Sequence, residues 1–593
     1  MRVKGGIGRR FSGVPLVGGL LAIALGAALP PSRLLQIVLP AQGAAYRDLL
    51  HDGLWCLKAV LLVTGLLTIL FPWLKQRLWD VDGETPSPRP FFSYRDSSSS
   101  RGTERWIVAG LVGLAFALRL IGSNQSLWGD EIAVQQMFVS RGLPVIFTYF
   151  PYTPQHVLYS VLAWFTQKLP LPIEISYRLP AVLFGSAAVG LTYMLTRRVM
   201  PRFGAILVAV LAAVSLPGIM FSHIAKSYSA NHCMTLLVLM GVIGIGKDWR
   251  HSSAWWLFGG GLLALAHFHL YNAFLCAGLV FAMVFMMWRV LPDSASRWAV
   301  FRRLVFVLGI VGVALLLLYS LQLPQIAEQM RRASSQPEEK LSVRFLRSWL
   351  MQLTFWGRAW PLALGLLALS LVGSVSLFRR EKNMGWLLLL PIAWLLFFVV
   401  AMRSWIYPRY LVFTLPVFLI LCAEGVHALL GRSATRQRLG LVALAVVFVG
   451  ATTPELVRYY QVGFQNVRAG VALAQSNAEA GDVLASYGLA RDLFPFYSED
   501  IVQIDSVESL DRRIEAARPG NLLLMYAWRK SWPNRQDEFE AIHERFATLG
   551  KFDGFAMDLD ERDGEVVVLI SKEVVSGHNA GITLEAEGGR PDA

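Results

Sequence analysis

Leu118-Arg119-Leu120-Ile121-Gly122-Ser123-Asn124-Gln125-Ser126-Leu127-Trp128-Gly129-Asp130-Glu131 closes an apolar run that begins near Trp106. Two adjacent carboxylates follow within ten residues of its end. A charge placed at a membrane exit is expensive to strip of water, so this acidic pair marks a functional position. The run itself sets the fold class. Twelve others of similar length lie near 11–30, 53–73, 179–197, 204–221, 229–246, 253–268, 271–289, 303–322, 359–378, 384–402, 410–430 and 438–455. About twenty apolar residues cross the hydrocarbon core of a bilayer. The chain of 593 residues is 55% hydrophobic, with a mean hydropathy of +0.48. These values predict a polytopic α-helical membrane protein of about thirteen transmembrane helices.

Basic clusters orient the spans. Arg2, Lys4, Arg9 and Arg10 put the N-terminus in the cytoplasm, and Arg197/Arg198/Arg202, Arg297/Arg302/Arg303 and Arg379/Arg380/Lys382 recur on that side. An odd number of spans then sends Asp130, Glu131 and everything after Pro454 to the outward face. Residues 457–593 hold 14 basic and 23 acidic side chains, a net of −9, against +23 for the remainder. The basic excess therefore belongs to loops facing anionic lipid and excludes a nucleic-acid-binding surface. Cys56, Cys233, Cys276 and Cys422 all fall inside apolar runs and read as packing residues. No Ala-x-Ala site follows the first run, which therefore reads as a retained anchor.

The expected organisation is a two-helix membrane hairpin at 1–80, a Pro/Ser-rich cytoplasmic linker at 81–104, and a transmembrane catalytic domain at 105–456. A small extracytoplasmic α/β domain at 457–575 and a disordered tail at 576–593 follow. Within the first outward loop, 123–178, the stretch Gln155 to Leu169 reads as an interfacial helix. The loop 323–357 is charged and lid-like. In the C-terminal domain Asp482–Tyr487, Asn521–Tyr526 and Glu565–Ile570 read as buried strands, and Asp537–Leu549 reads as a helix.

Four constellations carry chemistry, and the topology sends all four to the outward face. Asp130 or Glu131 can act as general base toward an acceptor hydroxyl. Against this stands a helix-start acid stabilised by the dipole. His223, Lys226 and Tyr228 suit an anionic headgroup, since an ammonium offers three donors to phosphate; the plainer reading is a snorkelling Lys among interfacial aromatics. His267, His269 and Tyr271 line an outward turn. A divalent metal there is an open option, although no Cys, Asp or Glu stands at ligand spacing. Tyr407, Arg409 and Tyr410 enter the twelfth span from outside, and a guanidinium fork matches phosphate oxygens.

These motifs, Leu118-Arg-Leu, Ser126-Leu-Trp-x-Asp130-Glu131, Arg178-Leu-Pro-Ala-Val-Leu-Phe-Gly185, Ser222-x-x-Ala225-Lys226-x-Tyr228 and Arg409-Tyr410-Leu-x-x-x-Leu-Pro416, resemble those of the GT-C glycosyltransferases, of the protein mannosyltransferase and lipid A aminoarabinose transferase type. The resemblance covers about 105–455. It implies a polyprenyl-phosphate sugar donor, Asp130 as the base ahead of Glu131, and a donor phosphate held by Lys226, Arg409 and Tyr410. His223, Tyr228, His267, His269, Tyr271 and Tyr407 are the expected cavity residues. It further implies a glycan, lipid or protein acceptor and a place in the bacterial inner membrane. Ile224 stands where the family often has Glu, which counts against a carboxylate-bound metal. The alternatives are a transporter or flippase of lipid-linked saccharides and a non-catalytic anchor. No internal repeat with broken helices supports a transporter, and thirteen spans exceed what an anchor needs.

Overall fold

The computed structural model describes residues 13–28, 47–80, 91–92, 101–151, 155–291, 293–333, 343–354, 360–401, 407–529, 536–555 and 565–571. The expected tail 576–593, most of the linker and the first twelve residues lie outside them. The chain forms two compact units. The first comprises Met1–Leu120, Met137–Leu171 and Ser176–Thr452, and the second Ile121–Gln136, Pro172–Ile175 and Thr453–Ala593.

Each of the thirteen apolar runs is helical. In hydrocarbon every backbone amide must find its partner within its own segment, and a helix achieves that. Nine helices among the described residues are long and apolar enough to cross a membrane: Asp48–Trp79, Ile173–Val199, Tyr228–Lys247, Asn272–Val290, Ser294–Tyr319, Trp360–Arg380, Lys382–Ala401, Pro408–Leu430 and Ala434–Val462. The other four runs correspond to Gly13–Ala28, Arg101–Leu120, Arg202–Val214 and Ser252–Phe268. They are shorter or carry charge at their ends. The protein is multi-pass.

Helices meet closely where a side chain is missing. A Cβ on Gly373 would lie 1.8 Å from the carbonyl oxygen of Leu421, and one on Gly425 would lie 2.2 Å from that of Leu369. The helices Trp360–Arg380 and Leu415–Leu430 therefore touch backbone to backbone, as small residues allow inside membranes. Phe91 and Phe92, in the sequence taken for a linker, are buried. The Phe91 amide donates to the Gly246 carbonyl at 2.6 Å, and Asn383 donates to the Phe91 carbonyl at 2.6 Å.

The presumed interfacial helix is Val157–Thr166, ten residues and too short to span. The lid-like loop contains the helices Leu323–Ala333 and Val343–Leu353. A row of glutamines ties the first of these to the segment 146–151. Gln322 donates to Ile146 O at 2.8 Å, Gln325 bonds Phe150 N and Thr148 O at 2.7 Å each, and Gln329 donates to Pro151 O.

The second unit carries a five-stranded sheet of order β2-β1-β3-β5-β4. Its strands are β1 (Val483–Tyr487), β2 (Val502–Ile504), β3 (Leu522–Ala527), β4 (Phe546–Phe552) and β5 (Val566–Ser571). β1 pairs in parallel with β2 and β3, whereas β5 is antiparallel to both β3 and β4. β3 is buried along its whole length, as a central strand covered on both faces should be. The expected helix 537–549 is Gln536–Arg545, and its last four residues are strand instead. Phe546 onward pairs with the Val-rich β5, and that pairing overrides helical periodicity. β2 escaped notice because three residues show no pattern.

Gly373→Val should lower the thermal-inactivation midpoint in detergent clearly, by overpacking of about 1–3 kcal/mol, whereas Gly365→Val, at a position where a Cβ meets nothing within 4 Å, should shift it by far less. Equal shifts would refute the close contact.

Candidate functional site

The polar residues of the first unit gather where helices break. After Arg202–Val214 the chain turns at Ser215, makes one turn at Leu216–Met220, and runs irregularly to the helix Tyr228–Lys247. This irregular segment is buried, so its polar groups need partners. Buried Arg119 supplies several: Nε donates to Ser222 Oγ at 3.1 Å, and one terminal nitrogen reaches Ala115 O at 3.1 Å and Ala213 O at 3.2 Å. His223 Nε2 lies 2.7 Å from the Arg119 carbonyl oxygen and donates to it. Gly185 leaves room for this arrangement, since a Cβ there would sit 2.0 Å from Ser222 Oγ.

Lys226, 2% exposed, belongs to a different group. His156, the residue before Val157–Thr166, places Nδ1 2.5 Å from Ser227 Oγ. Its ring is 4.5 Å from that of His269 and 5.6 Å from that of Tyr228. His269 occupies the break between Ser252–Phe268 and Asn272–Val290, where its Nδ1 accepts the Tyr271 amide at 3.2 Å. Tyr410 is central: its ring lies 4.8 Å from His269, 5.5 Å from Tyr271, 5.8 Å from Tyr407 and 6.3 Å from Tyr228. It is carried by the 3-10 helix Pro408–Thr414, as is Arg409, whose guanidinium sits 3.8 Å above the Tyr407 ring.

Burial pushes the pKa of His156 well below 6.5, and the charges of His269, Lys226 and Arg409 push it the same way. Burial, then Lys226 and Arg409, lower that of His269 to about 3. Both rings are therefore neutral at neutral pH, each offering one donor and one acceptor. The charges shifting them are all positive. Two cations, two neutral imidazoles and four tyrosines in a largely buried setting suit an anion attached to a larger, partly apolar body.

Two expected cavity residues lie elsewhere. His223 is turned onto Arg119, away from Lys226, because the irregular backbone between them does not keep side chains on one face. His267 packs against Tyr319 at 5.1 Å between ring centroids, while His269, beyond the helix end, faces the cluster. The two histidines thus part, and among the described residues no three His, Cys, Asp or Glu side chains group as metal ligands. His156, which the sequence reading passed over, is the added member. Its only signal was a His directly before an apolar, aromatic helix.

Asp130 and Glu131 belong to the second unit, on the short helix Gly129–Val134. Glu131 is fully buried and its carboxylate accepts the Trp128 amide at 3.1 Å, so it caps its own helix. Asp130, the neighbour about 100° round, is partly exposed.

Comparison with solved structures shows a shared fold. The chain is similar to the crystal structure of ArnT from Cupriavidus metallidurans in the apo state. The identity is 14%, 79% of this chain and 98% of that one are covered, and the TM-score is 0.52. It is also similar to ArnT of the same organism bound to undecaprenyl phosphate, at 14% identity over 80% of this chain and 98% of that one, with a TM-score of 0.50. The archaeal oligosaccharyltransferase AglB from Archaeoglobus fulgidus, in complex with an inhibitory peptide and a dolichol-phosphate, aligns at 10% identity over 76% of this chain and 73% of its own, with a TM-score of 0.43. No family model and no curated protein matches the sequence.

Depressed histidine pKa values carry a pH signature. Between about 3 and 6.5 the unfolded chain binds protons that the folded chain refuses at His269, so stability falls as the pH falls through that window, by up to about 1.4 kcal/mol per pH unit for each such ring. The thermal-inactivation midpoint should drop between pH 7.5 and pH 5, and less in His269→Asn. An equal drop in both proteins would contradict the assignment.

Proposed function

We propose that the chain is a membrane glycosyltransferase that moves a sugar from a polyprenyl-phosphate donor to a hydroxyl acceptor on the outward face of a bacterial inner membrane. One observation carries this reading: Lys226 and Arg409 converge with neutral His156 and His269 on a wall of tyrosines. Such a group fits a phosphate monoester or diester bearing a lipid tail. The fold shared with ArnT, one of whose structures binds undecaprenyl phosphate, supports the same chemistry.

The step is a single displacement. The acceptor oxygen bonds to the anomeric carbon as the bond from that carbon to the phosphate oxygen breaks on the opposite face, which inverts the centre. The leaving polyprenyl phosphate is a stable monoester with a second pKa of about 6, so it needs cationic stabilisation more than a proton. Lys226 and Arg409 supply that charge. The acceptor proton goes to Asp130, since Glu131 is occupied in capping its helix. The aromatic rings cover the sugar faces, as Tyr does in carbohydrate and interfacial sites. No metal is required by this scheme, and none of its steps uses one.

With purified protein in proteoliposomes and a labelled polyprenyl-phosphate sugar, Asp130→Asn should lose turnover by about 10²-fold or more while keeping its thermal transition. Lys226→Ala and Arg409→Ala should raise the donor KM about tenfold and leave the acceptor KM within twofold. Wild-type turnover in Asp130→Asn removes that residue from the mechanism. Equal changes in both KM values remove the two cations from the donor phosphate.

A further inference from the structure

An open sheet with parallel strands has a natural ligand crevice, at the carboxyl ends of the two strands where the chain order reverses direction. In the order β2-β1-β3-β5-β4 that point lies between β1 and β3. Their carboxyl ends are occupied by the chain itself. A Cβ on Gly129 would fall 2.0 Å from the tip of the Trp528 indole, just after β3, and 3.0 Å from Leu493, in the segment following β1. Tyr497, in that same segment, accepts the Leu127 amide on its hydroxyl at 2.8 Å. Gln465 accepts the Gly129 amide at 2.9 Å, and the Arg468 amide donates to Ser126 Oγ at 3.1 Å. The Arg468 guanidinium spans Glu174 at 2.9 Å and the Asn124 carbonyl at 3.0 Å.

Trp528 is also the one non-glycine residue with positive φ among the described residues, at 60°. That region is disfavoured for a bulky side chain, and such strain is kept where the surroundings enforce it. Here it aims the indole across the end of the sheet onto Gly129, the residue before Asp130. Any side chain at 129 would collide with it.

We propose that the C-terminal sheet domain is a clamp for the base loop: its crevice holds Ser126–Gly129 in place of a small-molecule ligand, and Trp528, Gln465 and Tyr497 are positioning residues for Asp130. A general base must sit within hydrogen-bond reach of the proton it takes. A carboxylate on a six-residue helix holds such a position only if its backbone is fixed. This inference rests on the reading of Asp130 as base.

The test is steady-state kinetics of the full chain in proteoliposomes with a polyprenyl-phosphate sugar. Gln465→Leu and Trp528→Ala should lower kcat about 10- to 100-fold, with the donor KM within twofold of wild type. Gln465→Glu, which keeps an acceptor for the Gly129 amide, should recover most of the lost kcat. In an Asp130→Asn background the same two substitutions should cause no further loss. If Trp528→Ala fails to fold, the Gln465 pair still decides. Wild-type kcat in Gln465→Leu, alongside an inactive Asp130→Asn, overturns the clamp and leaves the base intact. A matching further loss in the Asp130→Asn background, or a donor KM that rises in step with the fall in kcat, overturns it as well. Full turnover in Asp130→Asn instead overturns the base reading on which the clamp depends.

Discussion

Positive charge removed from water is the constraint around which the first unit is built. Lys226 is almost wholly inaccessible, and Arg409 is close enough that both charges act on His156 and His269. An ion in so poor a solvent is costly unless an opposite charge or a set of dipoles compensates it. The two imidazoles respond in the one way open to them, by staying neutral. Neutral rings add no positive charge to that of Lys226 and Arg409 and offer a donor and an acceptor each. In the function proposed above, a headgroup with two or three oxygens and a hydrophobic tail would suit such a site better than a free inorganic ion, because the aromatic wall has apolar faces to cover.

The same constraint explains where the polar residues sit in sequence. A continuous helix satisfies its own backbone and can be apolar all round. A break exposes amides and carbonyls that need partners. The first unit places its chemistry at such breaks: 221–227, 269–271 and 407–410. Arg119 pays out its donors to two carbonyls and a hydroxyl across one of them, and His223 is consumed on the Arg119 carbonyl. His223 is therefore part of what keeps the break folded, while Lys226, three residues on, belongs to the cluster.

How much of this was legible follows from the range of each signal. Thirteen helices were readable because an apolar run of twenty residues is a local pattern, and β1, β3 and β5 were readable because each is a short, largely apolar run. Lys226, Tyr228, His269, Tyr271, Tyr407, Arg409 and Tyr410 could be nominated because each stands at a helix end. What was not legible is non-local. Nothing near His156 announces that it meets Ser227, 71 residues away. The runs 253–268 and 271–289 already place a break there, but nothing in the spacing says that His267 packs on Tyr319 while His269 faces the cluster. The last turn of the expected helix at 546–549 became strand because of a partner some twenty residues downstream.

Asp130 and Glu131 show the limit most clearly, since as neighbours in sequence they are equal candidates. The structure distinguishes them: Glu131 is buried and accepts the Trp128 amide, while Asp130 is partly exposed. The loop before them is packed against from outside, and Gly129 is a point of contact. A glycine at that position looks in sequence like a simple helix start. In three dimensions it is the only residue type that lets Trp528 reach the backbone, so the identity of residue 129 is dictated from four hundred residues further along the chain. A local motif such as Trp-Gly-Asp-Glu is thus a record of long-range packing as much as of chemistry.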